Sequence, residues 1–226
     1  MKQIDSKLTV FGVMAAAILF TGIQGTSYGA PLPGGSLNPL KIPKYVRPLT
    51  ILPSMPKSAN PQGFTGDYYE IAVRQFQQEV VPNLSTTVWG YGSITNNRSF
   101  SYPAYTIEAT ANKPVRVKWI NDLKQVNGKF LPHLLHVDQT LHWANPASAD
   151  TMGEDPTRYT GPVPMVPHLH GAHVTQDSDG YPEAWFLPNA TNIPVNFSKV
   201  GTKYEQFKNE AQTAYGQTWE PGTSVH

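Results

Sequence analysis

Three of the seven histidines fall within one short stretch, "HLHGAH", at His168, His170 and His173. Imidazole nitrogens at this density point to a transition metal, and zinc, copper, iron and nickel all accept such donors. On a strand, positions i and i+2 project from one face. A strand through "VPHLHGAHV" entering a glycine turn therefore delivers His168 and His170 as a pair. Gly171 permits close backbone approach, and "DSDG" at Asp177–Gly180 adds a tight acidic turn. The chain has no cysteine, so it offers neither a thiolate ligand nor a disulfide. An incidental H-x-H is the competing reading at this point.

The elements that must hold these side chains are mostly strands. "YYEIAVRQFQQEV" alternates through Tyr69, Ile71 and Val73, as a half-buried strand does, and Phe76 falls out of phase, which predicts a bulge or an end there. "TVWGYGS" is a short strand ending in glycines. "YTIEATANKPVRVKWIND" predicts two more, Tyr105–Ala109 and Val115–Ile120, joined by a turn. Before residue 200 no segment carries a 3.6-residue apolar period, and only "KYEQFKNEAQTAYG" offers a helical turn. Short strands with turn signals between them read as an antiparallel sandwich or barrel.

Two N-terminal segments stand apart. Met1–Lys7 carries Lys2 and Lys7, Leu8–Ile23 is uncharged and mostly apolar, and small residues follow up to Ala30. This is the pattern of a secretory signal peptide, with cleavage expected near Gly29 or Ala30, rather than of a stable membrane span. From Pro31 to Pro61 the chain holds eight of its 21 prolines, interleaved with Leu, Ile, Val and Met. Proline at this density forbids a helix, and the apolar content suits an extended arm lying across a folded surface. Removing residues 1–30 takes away Lys2, Asp5 and Lys7 and leaves the charges balanced. No run of like charge remains, so nothing points to nucleic acid or an anionic membrane.

Two families place histidines in this way. The spacing of "HLHGAH" matches the H-x-H-x-D-H pattern of metallo-β-lactamase-like zinc hydrolases, but Ala172 stands where their metal-binding aspartate belongs. That fold also alternates strands and helices, which this chain does not. The match is therefore taken as coincidental, with His173 a bystander. The other likeness covers nearly the whole chain. "HLHG" followed by "DSDGYPEAWF" resembles the first copper motif of the multicopper oxidases, in the spore-coat laccase and bilirubin oxidase branch. "YYEIAVRQFQQEVVPNLSTTVWGYGS", "YPAYTIEATANKPVRVKWINDL" and "FLPHLLHVDQTLHWANP" resemble that branch's opening strand, its P-G-P-T-I-E and V-x-V-x-W-x-N-x-L segments, and the loop before the motif. The proline arm matches as well.

The resemblance implies a cupredoxin-like Greek-key β-sandwich, all-β, incomplete at its C-terminal edge and preceded by the Pro-rich arm. Residues 1–30 are then the signal peptide, 31–62 the arm, and 63–226 a truncated first cupredoxin domain. By position His168 resembles a type 2 copper ligand and His170 a type 3 ligand. Asp179 resembles the carboxylate that delivers protons to reduced oxygen, although a turn-forming role also explains it. His133, His136 and His142 belong to the preceding loop and are expected in loop or surface roles. Tyr181 and Trp185 are expected to pack. The family's second motif, W-Y-H-D-H, and the cysteine-bearing motifs of its third domain are missing, and His226 is not a ligand by this resemblance. The implied parent activity is oxidation of phenolic, bilirubin-like or metal-ion substrates coupled to O₂ reduction, with further cupredoxin domains needed to complete the copper cluster. The alternative is a non-enzymatic exported copper-binding or interaction module.

Overall fold

The residues "DYYEIAVRQFQQEVV" form one long strand, β1 (Asp67–Val81), in the computed structural model. The model describes residues 37–139, 143–147, 158–171, 173 and 180–226. β1 turns back through Pro82 and Asn83 into β2 (Leu84–Ser93). Asn83 takes a φ of 63°, a conformation asparagine tolerates better than most residues, and its N–H donates to Glu79 Oε1 at 2.6 Å. β1 does not end or bulge at Phe76. Its register slips only between Gln78 and Val81. Phe76 stays in the strand because its ring is covered edge-on by Phe100, with centroids 6.4 Å apart.

On the other side β1 pairs with β3 (Val115–Asn121) in parallel, and β3 pairs with β4 (Thr223–Val225) antiparallel. The sheet order is β2-β1-β3-β4, so the sheet is mixed rather than purely antiparallel. The strand expected at Tyr105–Ala109 does not form as a ladder. Its only pairing is one bridge, Thr106 to Ser54, because the proline arm occupies that edge. Opposite the sheet, antiparallel bridges link Met165 to Phe186 and Phe186 to Val200. The fold is all-β and cupredoxin-like, with one α-helix among the described residues.

That helix, α1 (Thr202–Tyr215), is longer than the single turn expected from the sequence. Tyr204 is buried, and Phe207 and Ala211 pack on the same core, so positions i, i+3 and i+7 supply its inner stripe. The core it joins contains Val73, Leu123, Val163, Met165, Phe186, Trp219 and Val225. A second cluster holds Met55, Tyr69, Ile71 and Val117, and Trp119 packs against both.

Met55 is the arm's anchor. Its N–H donates to Thr106 O at 2.8 Å, and Ser58 N donates to Tyr68 O at 2.8 Å. Lys57 reaches Asp67 at 3.0 Å. The expected arm across a surface is therefore real for residues 53–58. Farther upstream Leu40, Tyr45, Leu49 and Ile51 stand almost fully exposed, and an ion pair of Arg47 with Glu79 ties that part down. Among the described residues no helix is long and apolar enough to cross a membrane.

Candidate metal centre

The segment that carries the histidines leaves the core at Met165. The N–H of Met165 donates to Phe186 O at 3.0 Å, and Phe186 N returns a bond at 2.9 Å. Beyond this bridge residues 166–169 belong to no ladder, and His170 and Gly171 form a turn. The strand expected through the motif thus stops short of it. Pairing ends because Pro167 has no N–H to continue the ladder.

His168 and His170 nonetheless come together. Their rings lie 5.5 Å apart, inclined by 37°, and both residues are exposed. His173 is exposed too. Gly171 has a φ of 78°, and a side chain there would meet nothing within 4 Å. Its role is the left-handed turn, not close backbone approach. The close approach belongs to Gly180, where a Cβ would lie 3.1 Å from Pro167 O and 3.5 Å from the His168 Cβ. Gly180 is thereby packed on the backbone of the histidine segment. Asp179 and His142 lie outside the described residues.

His168 and Leu169 form one wall of a cleft of about 460 Å³. Its other walls are Ile107, Ala109, Val115, Val117, Trp119, Pro167 and His226. The cleft is apolar except for its two imidazoles. His226 is held there through Val117. Val117 N donates to His226 O at 2.7 Å, and His226 N donates to Val117 O at 2.9 Å. Its ring lies 5.9 Å from that of Trp219, and burial depresses its pKa. Sequence reasoning set His226 aside because the resemblance gives it no ligand role. Only the pairing of β3 with β4 brings it to the cleft.

His133 lies in a loop, as expected, but it is not a free surface residue. Its ring is packed between Trp89 (6.1 Å) and Tyr159 (5.7 Å), its Nε2 is buried without a hydrogen-bond partner, and desolvation lowers its pKa. His136 is exposed, as expected of a loop residue. Trp185 is buried, and Tyr181 stacks near Phe207 at 5.6 Å, so both pack as expected.

No family model matches the chain. Individual relatives do. It is 35% identical over 177 residues to a laccase of Haloferax volcanii, covering 76% of this chain and 27% of that protein. It is 36% identical over 120 residues to a laccase of Bacillus subtilis, covering 53% of this chain and 19% of the relative. A rice protein, multicopper oxidase LPR1 homolog 3, is 33% identical over 149 residues, covering 66% of this chain and 23% of its own length. The chain is a relative of the multicopper oxidases. It spans about a quarter, or less, of the length of these relatives.

This relationship implies copper as the cofactor, and the donor set can be tested against that. Two imidazoles presented side by side at 5.5 Å suit copper. Among the described residues no group of three or more His, Asp or Glu side chains gathers where one ion could sit. The residues fit a multicopper oxidase's metal as a pair of nitrogen donors, not as a closed cage.

Proposed function

We propose that this chain is the copper-binding N-terminal part of a multicopper oxidase, with His168 and His170 as ligands of two different copper ions, one type 2 and one type 3. The observation that carries this reading is the His168–His170 pair at 5.5 Å, on the segment that leaves the core at Met165. Bound copper would supply one-electron chemistry, coupling oxidation of phenolic, bilirubin-like or metal-ion substrates to reduction of O₂ to water. The chain's own residues do simpler work. Pro167 and Gly180 pack about the backbone that carries His168, and the neighbouring cleft walls are apolar. To Asp179 the resemblance gives the uptake and release of a proton at its carboxylate, a task for an acid–base group wherever oxygen is reduced to water. Additional cupredoxin domains supply the remaining ligands, and O₂ and a small-molecule reductant are the partners of the assembled enzyme. Residues 1–30 direct export.

Copper uptake by the metal-free chain tests the site. The wild type is expected to bind copper, and a His168→Ala/His170→Ala variant to bind markedly less. Equal uptake by the two sinks the assignment. With copper added, the chain alone is expected to oxidise a phenolic dye negligibly. Turnover matching that of a full laccase would show that no further domains are needed.

A further inference from the structure

We infer that His226 is a further copper-binding imidazole, acting with His168 across the cleft they share. This deepens, and rests on, the reading that the chain binds copper through His168.

Three observations support it. His168 and His226 both wall the 460 Å³ cleft, whereas His170 does not. His226 also bounds a small void on its other side, together with Val166 and Pro167, so it lies against the segment that carries His168. Finally, its backbone is fixed: the paired hydrogen bonds with Val117, at 2.7 and 2.9 Å, hold the residue at the edge of the sheet. Sheet and loop thus each deliver one imidazole to one space.

The chemistry of the lining selects the ion. Apart from the two imidazoles, the side chains that wall the cleft are Ile, Ala, Val, Trp, Pro and Leu, with no side-chain carboxylate and no amine. A doubly charged ion loses more hydration against such walls than a singly charged one, and no side chain there carries a compensating charge. Two neutral nitrogen donors in an apolar cleft therefore favour Cu(I), which accepts two-coordinate imidazole ligation. An ion of that charge is also the form such a cleft retains when reductant is present.

Anaerobic Cu(I) titration of the full chain against a chromogenic chelator tests this. The wild type, His168→Ala, His226→Ala, His226→Gln and His173→Ala are compared, with circular dichroism to confirm folding. His168→Ala and each His226 variant should weaken Cu(I) binding by about tenfold or more, a loss at least as large as that for groups that only support ligands. A His168→Ala/His226→Ala double variant should be little worse than either single one, because both side chains serve one ion. His173→Ala should bind as wild type does. X-ray absorption should show two imidazole nitrogens on the wild-type ion and one after His226→Gln, with free imidazole restoring the second. If both folded His226 variants bind within twofold of wild type while His168→Ala is impaired, this inference is overturned and the copper reading stands. If the wild type binds no copper, both fall.

Discussion

Asn121 donates its side-chain amide to Phe186 O at 3.1 Å, and to Val163 O at 2.8 Å as well. The residue is 1% exposed, at the end of β3, and it joins the sheet to the layer from which the histidine segment departs. Replacing it with leucine leaves Val163 O without this donor, while Phe186 O keeps the Met165 N–H. Each orphaned group costs about 1–3 kcal/mol. Asn121→Leu is therefore expected to lower unfolding free energy by roughly 1–3 kcal/mol, read from urea denaturation. Asn121→Asp should be worse than Asn121→Leu, since a carboxylate would face two carbonyl oxygens. A loss under about 1 kcal/mol for both variants would mean that the joint is not a stabilising one.

Asp67 makes stability depend on acid. The carboxylate accepts from Lys113 at 2.6 Å and pairs with Lys57 at 3.0 Å, and these bonds, Lys113 first, hold its pKa below the usual 3.8. A group with a depressed folded pKa contributes stability above its unfolded pKa and loses it as pH falls through the folded value. The wild type should accordingly lose stability as pH drops below about 3.8. Asp67→Asn should be less stable than wild type at pH 7 and should lose less on acidification. Parallel pH–stability curves for the two proteins would remove Asp67 from this role.

The sequence shows the strands of the sheet because each buries residues in alternation, and β1 and β3 were legible from Tyr69, Ile71, Val117 and their neighbours. It does not show that β1 and β3 run parallel, because alternation carries no information about the partner's direction. Tyr105–Ala109 has a strand's composition, but the arm residue Ser54 takes the single bridge at Thr106. His168 and His170 do lie side by side, but the strand from which their pairing was read does not reach them. His226 was not legible, since its place at the cleft depends on a contact with Val117 from far along the chain. The packing around His133 was not legible, because nothing local announces that Trp89 and Tyr159 will enclose it.

His133 should be a stability liability. Its Nε2 is buried without a partner, and desolvation lowers its pKa below 6.5. The unfolded chain therefore binds a proton near pH 6.5 that the folded chain refuses, so stability falls as pH drops below that value. His133→Phe places an apolar ring of similar shape between Trp89 and Tyr159. It should be neutral or stabilising at pH 7, and its advantage over wild type should grow toward pH 5. The slope that remains in the variant includes His226, whose pKa is also lowered by burial. An advantage that shrinks on acidification would contradict this account.

The arm divides at Met55. Met55 is 4% exposed against Tyr69, Ile71 and Val117, so Met55→Ala should cost about 2–5 kcal/mol. Leu40 and Leu49 are 91% and 93% exposed, so their alanine variants should stay within about 0.5 kcal/mol of wild type. Chemical denaturation of the three variants separates the anchored part from the exposed part. Similar losses at all three positions would show that residues upstream of Met55 also pack on the chain.

The two glycines around the histidines should respond differently to substitution. Gly171 needs its φ of 78° but has open space where a side chain would go. Asparagine tolerates that region, so Gly171→Asn should cost less than about 1 kcal/mol. Gly180 has a φ of 92°, and a Cβ there would press on Pro167 O at 3.1 Å and approach the His168 Cβ at 3.5 Å. Gly180→Asn must therefore either strain the turn or move the backbone that carries His168. Its expected cost is about 1–3 kcal/mol in thermal or urea unfolding, the usual range for overpacking. Because the displaced backbone carries a proposed ligand, copper binding by Gly180→Asn should weaken beyond any change in Gly171→Asn. Copper affinities that rank the other way would show that the turn does not position His168.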